Sequence, residues 1–129
     1  MGSIRAFVAI YPSPDELSRC LRLRDAEKAL WPSARWVRDD QIHLTLRFFE
    51  ALEEARLREL IRWLAEAALE TCPFRIRLFH RVPPWRGAKV EAISAESPDL
   101  DLLARRVEEA ARRAGAPPER RPFRGHVTL

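Results

Sequence analysis

The sequence predicts a mixed domain of strands and helices built as two related halves, and three observations carry that expectation. Short β-rich runs alternate with amphipathic runs of helical period along the 129 residues. The tripeptide Ser-Pro-Asp occurs at 13–15 and again at 97–99, 84 residues later. The pattern His-x-Thr occurs at His43/Thr45 and at His126/Thr128, 83 residues apart, so the two repeats keep register. Each copy reads strand, Ser-Pro-Asp helix, turn, strand with His-x-Thr. The single domain over 1–129 therefore divides into halves of about 1–80 and 81–129.

Each element follows from local pattern. "IRAFVAIY" (4–11) is β-rich and stops at Pro12, which predicts a strand. Ser13 is placed to cap the next helix, with Pro14 at its first position and Glu16 closing a capping box. Leu17, Leu21 and Leu30 fall on one face of that helix. "ARWV" (34–37) is a short extended piece, and "IHLTLRFF" (42–49) is a strong strand. From Leu52 to Glu70 the period becomes helical, with Leu57, Leu60, Ile61, Leu64 and Ala68 as its apolar stripe. "PFRIRLF" alternates Phe74, Ile76 and Leu78 with Arg75 and Arg77, as a half-exposed strand does. "RVPPWRG" is a loop, and His80 before it is expected in that loop. "AKVEAIS" is a strand. The second Ser-Pro-Asp opens a helix carrying Leu100, Leu103, Val107 and Ala111 on one face, which Gly115 ends.

Composition excludes several classes. With 47% apolar and 33% charged residues the chain is an ordinary globular domain with no run of membrane-spanning length. "AFVAIYP" is too short for a signal peptide, and Ala6 stands where a myristoylation signal needs Ser or Thr. Cys20 and Cys72 lack metal or redox spacing and fit buried thiols of a reducing cytoplasm. The net charge of +4 makes a polyanion a reasonable partner, and arginine supplies all but two of the Lys and Arg residues. Asp39 and Asp40 have no partner at ligand spacing, so neither a metal nor a cofactor is expected.

The repeated motif carries the chemistry. Three histidines and three threonines occur in the whole chain, and two of each form the His-x-Thr pairs. On a strand, His43 and Thr45 share one face while Leu44 and Leu46 share the other, and His126 and Thr128 do the same against Val127 and Leu129. If a pseudo-two-fold axis relates the halves, the two pairs face each other across a groove. One imidazole can then take a proton from an attacking hydroxyl while the other supplies one to the departing oxygen. The threonine hydroxyls can donate to a phosphoryl oxygen between them. The reacting nitrogens would lie roughly 5–8 Å apart, with contacts of about 3 Å to either side. Arg47, which shares the face of His43 and Thr45, and Arg124, which shares that of His126, are further candidates for phosphate contact. Phe49, further along the His43 face, is a candidate for base stacking or, after a bulge, for the core.

"RAFVAI", "RWV…IHLTLRFF" and "PFRGHVTL" together resemble the 2H phosphoesterase superfamily, in particular its 2′-5′ RNA ligase-like branch. The resemblance implies an α+β, bilobal pseudo-two-fold fold, with antiparallel sheets flanking a central cleft and helices outside. It implies metal-independent hydrolysis of RNA or nucleoside 2′,3′-cyclic phosphates to 2′-phosphates, and reversible 2′-5′ joining of RNA ends in some members. His43 and His126 would be the acid–base pair, with Thr45 and Thr128 holding phosphate. The expected partners are RNA bearing 2′,3′-cyclic phosphate ends or cyclic nucleotides, with no membrane, for a monomer in the cytoplasm. Two features depart from the family pattern. Members run some tens of residues past the second motif, where this sequence stops at Leu129, so a shortened second lobe with an unpaired sheet edge is expected. Gly125 also stands where members often have proline. Two other functions remain open: a phosphodiesterase for another small cyclic phosphate, and a non-catalytic RNA-binding module.

Overall fold

The computed structural model of the protein describes residues 2–80 and 92–129. Its first strand, β1 (Ser3–Ile10), turns Ile4, Ala6, Val8 and Ile10 inward by simple alternation. Ser13 then caps α1 (Pro14–Leu30): its hydroxyl accepts the Glu16 N–H, and the Glu16 carboxylate accepts the Ser13 N–H. Pro14 sits in the first turn, where a missing N–H costs nothing. The helix over Pro98–Arg113, α3 below, starts the same way, its Ser97 hydroxyl accepting from Asp99 and Leu100. It ends in a Schellman turn: Gly115 takes φ +86°, its N–H donates to the Arg112 carbonyl, and the Ala116 N–H reaches Ala111.

The other strands are β2 (Leu44–Glu53), β3 (Arg77–His80), β4 (Ala92–Glu96) and β5 (His126–Thr128), and α2 (Leu57–Leu69) lies between β2 and β3. The five described strands form one antiparallel sheet in the order β1-β2-β5-β4-β3. Its two parts, β1–β2 and β5–β4–β3, meet along a seam of a single ladder pair, Leu44 opposite Val127. The lobes anticipated from sequence thus share one sheet, joined at the strands that carry the two motifs.

The three described helices pack on one face of this sheet. Cys20 of α1 and Leu100 of α3 cluster with Leu44, Ile93 and Val127. Phe49 and Leu52 of β2 cluster with Leu60 of α2 and Ala111 of α3. Alternation sends His43, Thr45, His126 and Thr128 to the opposite face, away from this packing.

Several sequence expectations shift. The strand β2 continues to Glu53, so α2 begins at Leu57 rather than Leu52. The stripe of α2 that meets the core is Leu60, Leu64 and Ala67, while Ile61 is 57% exposed and Ala68 faces solvent. Contact with α3 rotates the helix away from its most apolar line. On α1, Leu30 is exposed and Arg24 is buried instead, donating to the Val37 carbonyl at 2.9 Å and to Asp39 at 2.6 Å. That clamp fixes the 34–37 segment, which is not a strand but gives the Val37 N–H to the Leu129 carbonyl. The strand β3 is shorter than the expected 73–79 run, and the His80 backbone closes it opposite Ile93 rather than lying in a loop. Cys72 is exposed, whereas Cys20 is buried. The "RVPPWRG" loop and the start of "AKVEAIS" lie outside the described residues. Among the described residues no helix is long and apolar enough to cross a membrane.

Candidate active site

The seam brings the two motifs side by side. Extending the Leu44–Val127 register by one residue each way sets Thr45 across from His126 and His43 across from Thr128. The two histidines are then diagonal neighbours on one face, a relation that separates residues by about 7–8 Å. All four side chains are half-buried, between the packed core and open solvent.

Both imidazoles are anchored in the same way. His43 Nδ1 lies 2.7 Å from the Gln41 carbonyl, and His126 Nδ1 lies 2.8 Å from the Arg124 carbonyl. In each case the partner is two residues upstream, in the segment that leads into the strand. A carbonyl only accepts, so Nδ1 carries the proton and the neutral ring keeps its lone pair on Nε2. The His43 ring also stacks on Phe7, with centroids 4.8 Å apart and planes at 20°, and Tyr11 leans against it at 5.7 Å. Such ring pairs contribute about 0.5–1.5 kcal/mol and restrict rotation of the imidazole.

A β-bulge removes two of the expected contacts from this face. Val8 pairs with Arg47 but Ala9 pairs with Thr45, so Leu46 is the extra residue and the alternation of β2 inverts after it. Arg47 and Phe49 therefore point to the helices, and Phe48 takes the place opposite Phe7 that Arg47 would have held in a regular strand. Arg47 is buried: it donates to Glu108 at 2.8 Å and to the Phe48 and Pro117 carbonyls, and its guanidinium lies over the Phe49 ring. Phe49 itself is 4% exposed in the second core cluster, so it cannot stack on a base. Arg124 does stay at the site, its side chain exposed beside Thr45 and His126.

Beyond the seam β2 and β5 diverge, leaving a groove of about 870 Å³ that begins at Thr45 and His126. Phe48, Arg105, Phe123 and Arg124 line it further out. Sequence reasoning missed Phe7, Tyr11, Phe48 and Arg105. The first two had a signal, the period-two spacing of Phe7, Ala9 and Tyr11 along β1. Phe48 and Arg105 had none, because a bulge and a helix–strand contact place them.

Asp39, weighed for a metal, is committed to Arg24. Among the described residues no three His, Cys, Asp or Glu side chains group closely enough to hold a metal ion.

An antiparallel sheet presenting two His-x-Thr strands side by side is the architecture of the 2H phosphoesterases. Within that superfamily the chain belongs to the LigT-like phosphoesterase family, whose pattern matches residues 10–86. The chain is 32% identical over 114 residues to an RNA 2′,3′-cyclic phosphodiesterase of Geobacillus stearothermophilus, covering 81% of this chain and 34% of that protein. It is 27% identical over 122 residues to the RNA 2′,3′-cyclic phosphodiesterase of Bacillus subtilis (strain 168), covering 92% and 66%. It thus spans about a third and just under two thirds of these curated relatives. The fold superposes on E. coli LigT in its apo form with a TM-score of 0.77 at 24% identity, over all of this chain and 72% of that one. LigT complexed with 3′-AMP superposes with a TM-score of 0.75 at 24% identity, over 98% and 72%.

Proposed function

We propose that the protein hydrolyses the 2′,3′-cyclic phosphate ends of RNA, and the corresponding nucleosides, to 2′-phosphates. The observation that carries this reading is the matched pair of imidazoles, each held through Nδ1 by the carbonyl two residues before it and diagonal across the seam. Water attacks phosphorus and loses its proton to Nε2 of one histidine. The other histidine, protonated, gives its proton to the 3′-oxygen as the P–O3′ bond breaks. Thr45 and Thr128 donate hydrogen bonds to the non-bridging oxygens as charge grows there. Arg124 adds a positive charge at the edge of the site. Two imidazoles supply both proton transfers, so the reaction calls for no metal. With a 5′-hydroxyl in place of water, the same exchange forms a 2′-5′ linkage as the P–O3′ bond breaks, and its reverse cleaves that linkage. The printed names of the relatives, and the 3′-AMP bound by LigT, support a nucleotide substrate. Two free cysteines accord with a reducing compartment, and the reading takes the protein to act as a cytoplasmic monomer.

The test is hydrolysis of 2′,3′-cyclic AMP in the presence of chelator, with identification of the product isomer. His43→Ala and His126→Ala should each lower turnover at least about a hundredfold, the usual weight of general acid–base catalysis. Near-normal turnover in the His126 variant would defeat the paired mechanism.

A further inference from the structure

We infer that the groove running from His126 to Arg105 binds the sugar–phosphate backbone of an RNA strand adjoining the reacting phosphate. This rests on the proposed reaction for its direction, but on separate residues for its substance. The groove is continuous with the site, since Thr45 and His126 form one end of it. Its charges sort into engaged and unengaged groups. Arg47 is paired with Glu108, which also takes Arg112 and the Glu119 N–H. Arg121 is paired with Glu119. Arg105 and Arg124 line the same groove and make no ion pair among the described residues. Both are exposed, and one stands on α3 while the other precedes β5, so the pair brackets the channel. Asp101 is the opposing charge, one helical turn from Arg105 but not bonded to it.

Two unengaged guanidiniums that line one groove from separate elements are suited to phosphodiester oxygens, which they can grip in bidentate fashion. Phe48 and Phe123 give the same channel aromatic surface, which tolerates any base. A cyclic mononucleotide fills only the histidine end. An oligonucleotide fills the groove as well, which makes Arg105 a determinant of preference for RNA ends over free nucleotides.

The experiment compares wild type, Arg105→Gln, Arg105→Gln/Arg124→Gln and Asp101→Asn. Two substrates are used, 2′,3′-cyclic AMP and a single-stranded RNA tetranucleotide ending in a 2′,3′-cyclic phosphate. Equilibrium binding of the tetranucleotide product is measured alongside, from 50 to 300 mM salt. Arg105→Gln should leave cyclic AMP turnover within twofold of wild type and weaken the tetranucleotide roughly tenfold. Replacing both arginines should flatten the slope of log affinity against log salt by about 1.4, at about 0.7 per phosphate contact in single strands. Asp101→Asn should tighten tetranucleotide binding. Unchanged tetranucleotide affinity and salt slope in the double variant would overturn the groove, and so would an equal loss on both substrates in Arg105→Gln. Absence of wild-type turnover with salt-sensitive, arginine-dependent binding intact would overturn the proposed reaction and leave the groove standing.

Discussion

The bulge at Leu46 assigns Arg47 to the framework rather than to substrate, and Arg47→Leu puts that assignment at risk. The Arg47 side chain is 9% exposed and holds three elements together: Glu108 of α3, the Pro117 carbonyl beyond it, and its own strand at Phe48. Removing one partner of a buried pair costs about 3–5 kcal/mol, because the remaining charge is stranded. Glu108 is 22% exposed and keeps Arg112 at 3.3 Å and the Glu119 N–H at 3.0 Å, so the loss should be nearer 2–3 kcal/mol. At roughly 3–5 °C per kcal/mol for a chain of this size, the melting temperature should fall by about 6–15 °C. Thermal unfolding followed by circular dichroism measures it, and the Arg47→Leu/Glu108→Leu double variant should recover part of the drop. An unchanged Tm with a collapse of phosphodiesterase activity would mean that Arg47 meets substrate after all, and the inverted register would be wrong.

Three further outcomes follow from the same coordinates. Gly125→Ala would drive a Cβ against the Ala95 carbonyl oxygen and to 3.0 Å from a Leu100 methyl, just ahead of His126. A cost of about 1–3 kcal/mol is expected in urea unfolding, with kcat falling because the strand moves away from β4. Burial, reinforced by the charge of Glu16, pushes the Cys20 thiol above its ordinary value, so less thiolate is present at any pH. Maleimide at pH 8 should therefore modify Cys72 alone, as read by peptide mass spectrometry; rapid labelling at Cys20 would contradict the packing of α1. Hydrogen bonds from Arg121, side chain first and then backbone, hold the Glu119 carboxyl below the ordinary glutamate range. The loop stabilisation this gives is fully present above the unfolded value and is lost as pH falls through the lower, folded one. An NMR titration should find the Glu119 midpoint depressed in wild type and raised part of the way back in Arg121→Ala, which keeps the backbone hydrogen bond.

Much of the plan was legible because it is local. Ser13 and Ser97 announce both helices through their caps, Gly115 ends α3 by its own φ, and two-residue spacing suffices to put each His with its Thr. What failed depends on partners far away in sequence. Nothing in "HLTLRFF" marks Leu46 as a bulge, because that register is set by pairing with β1, and the bulge exchanges Phe48 for Phe49 and inverts Arg47. The stripe of α2 was misplaced by one residue for a similar reason, since α3 decides which side of it is covered. Leu30 looked buried from its period, but the α1 turn before it is held by Arg24, a residue that hydropathy alone places outside.

One rung joins the two parts of the sheet, while each imidazole takes its bearing from a carbonyl two residues before it, and His43 also from Phe7 and Tyr11 on its own side of the seam. Aim and separation are therefore governed independently: the ring directions are set within each part of the sheet, and the gap between them belongs to the junction. Substitutions at Leu44 or Val127 should act like a change of jaw width on a vice whose faces stay parallel, altering which phosphate esters fit without disarming either histidine.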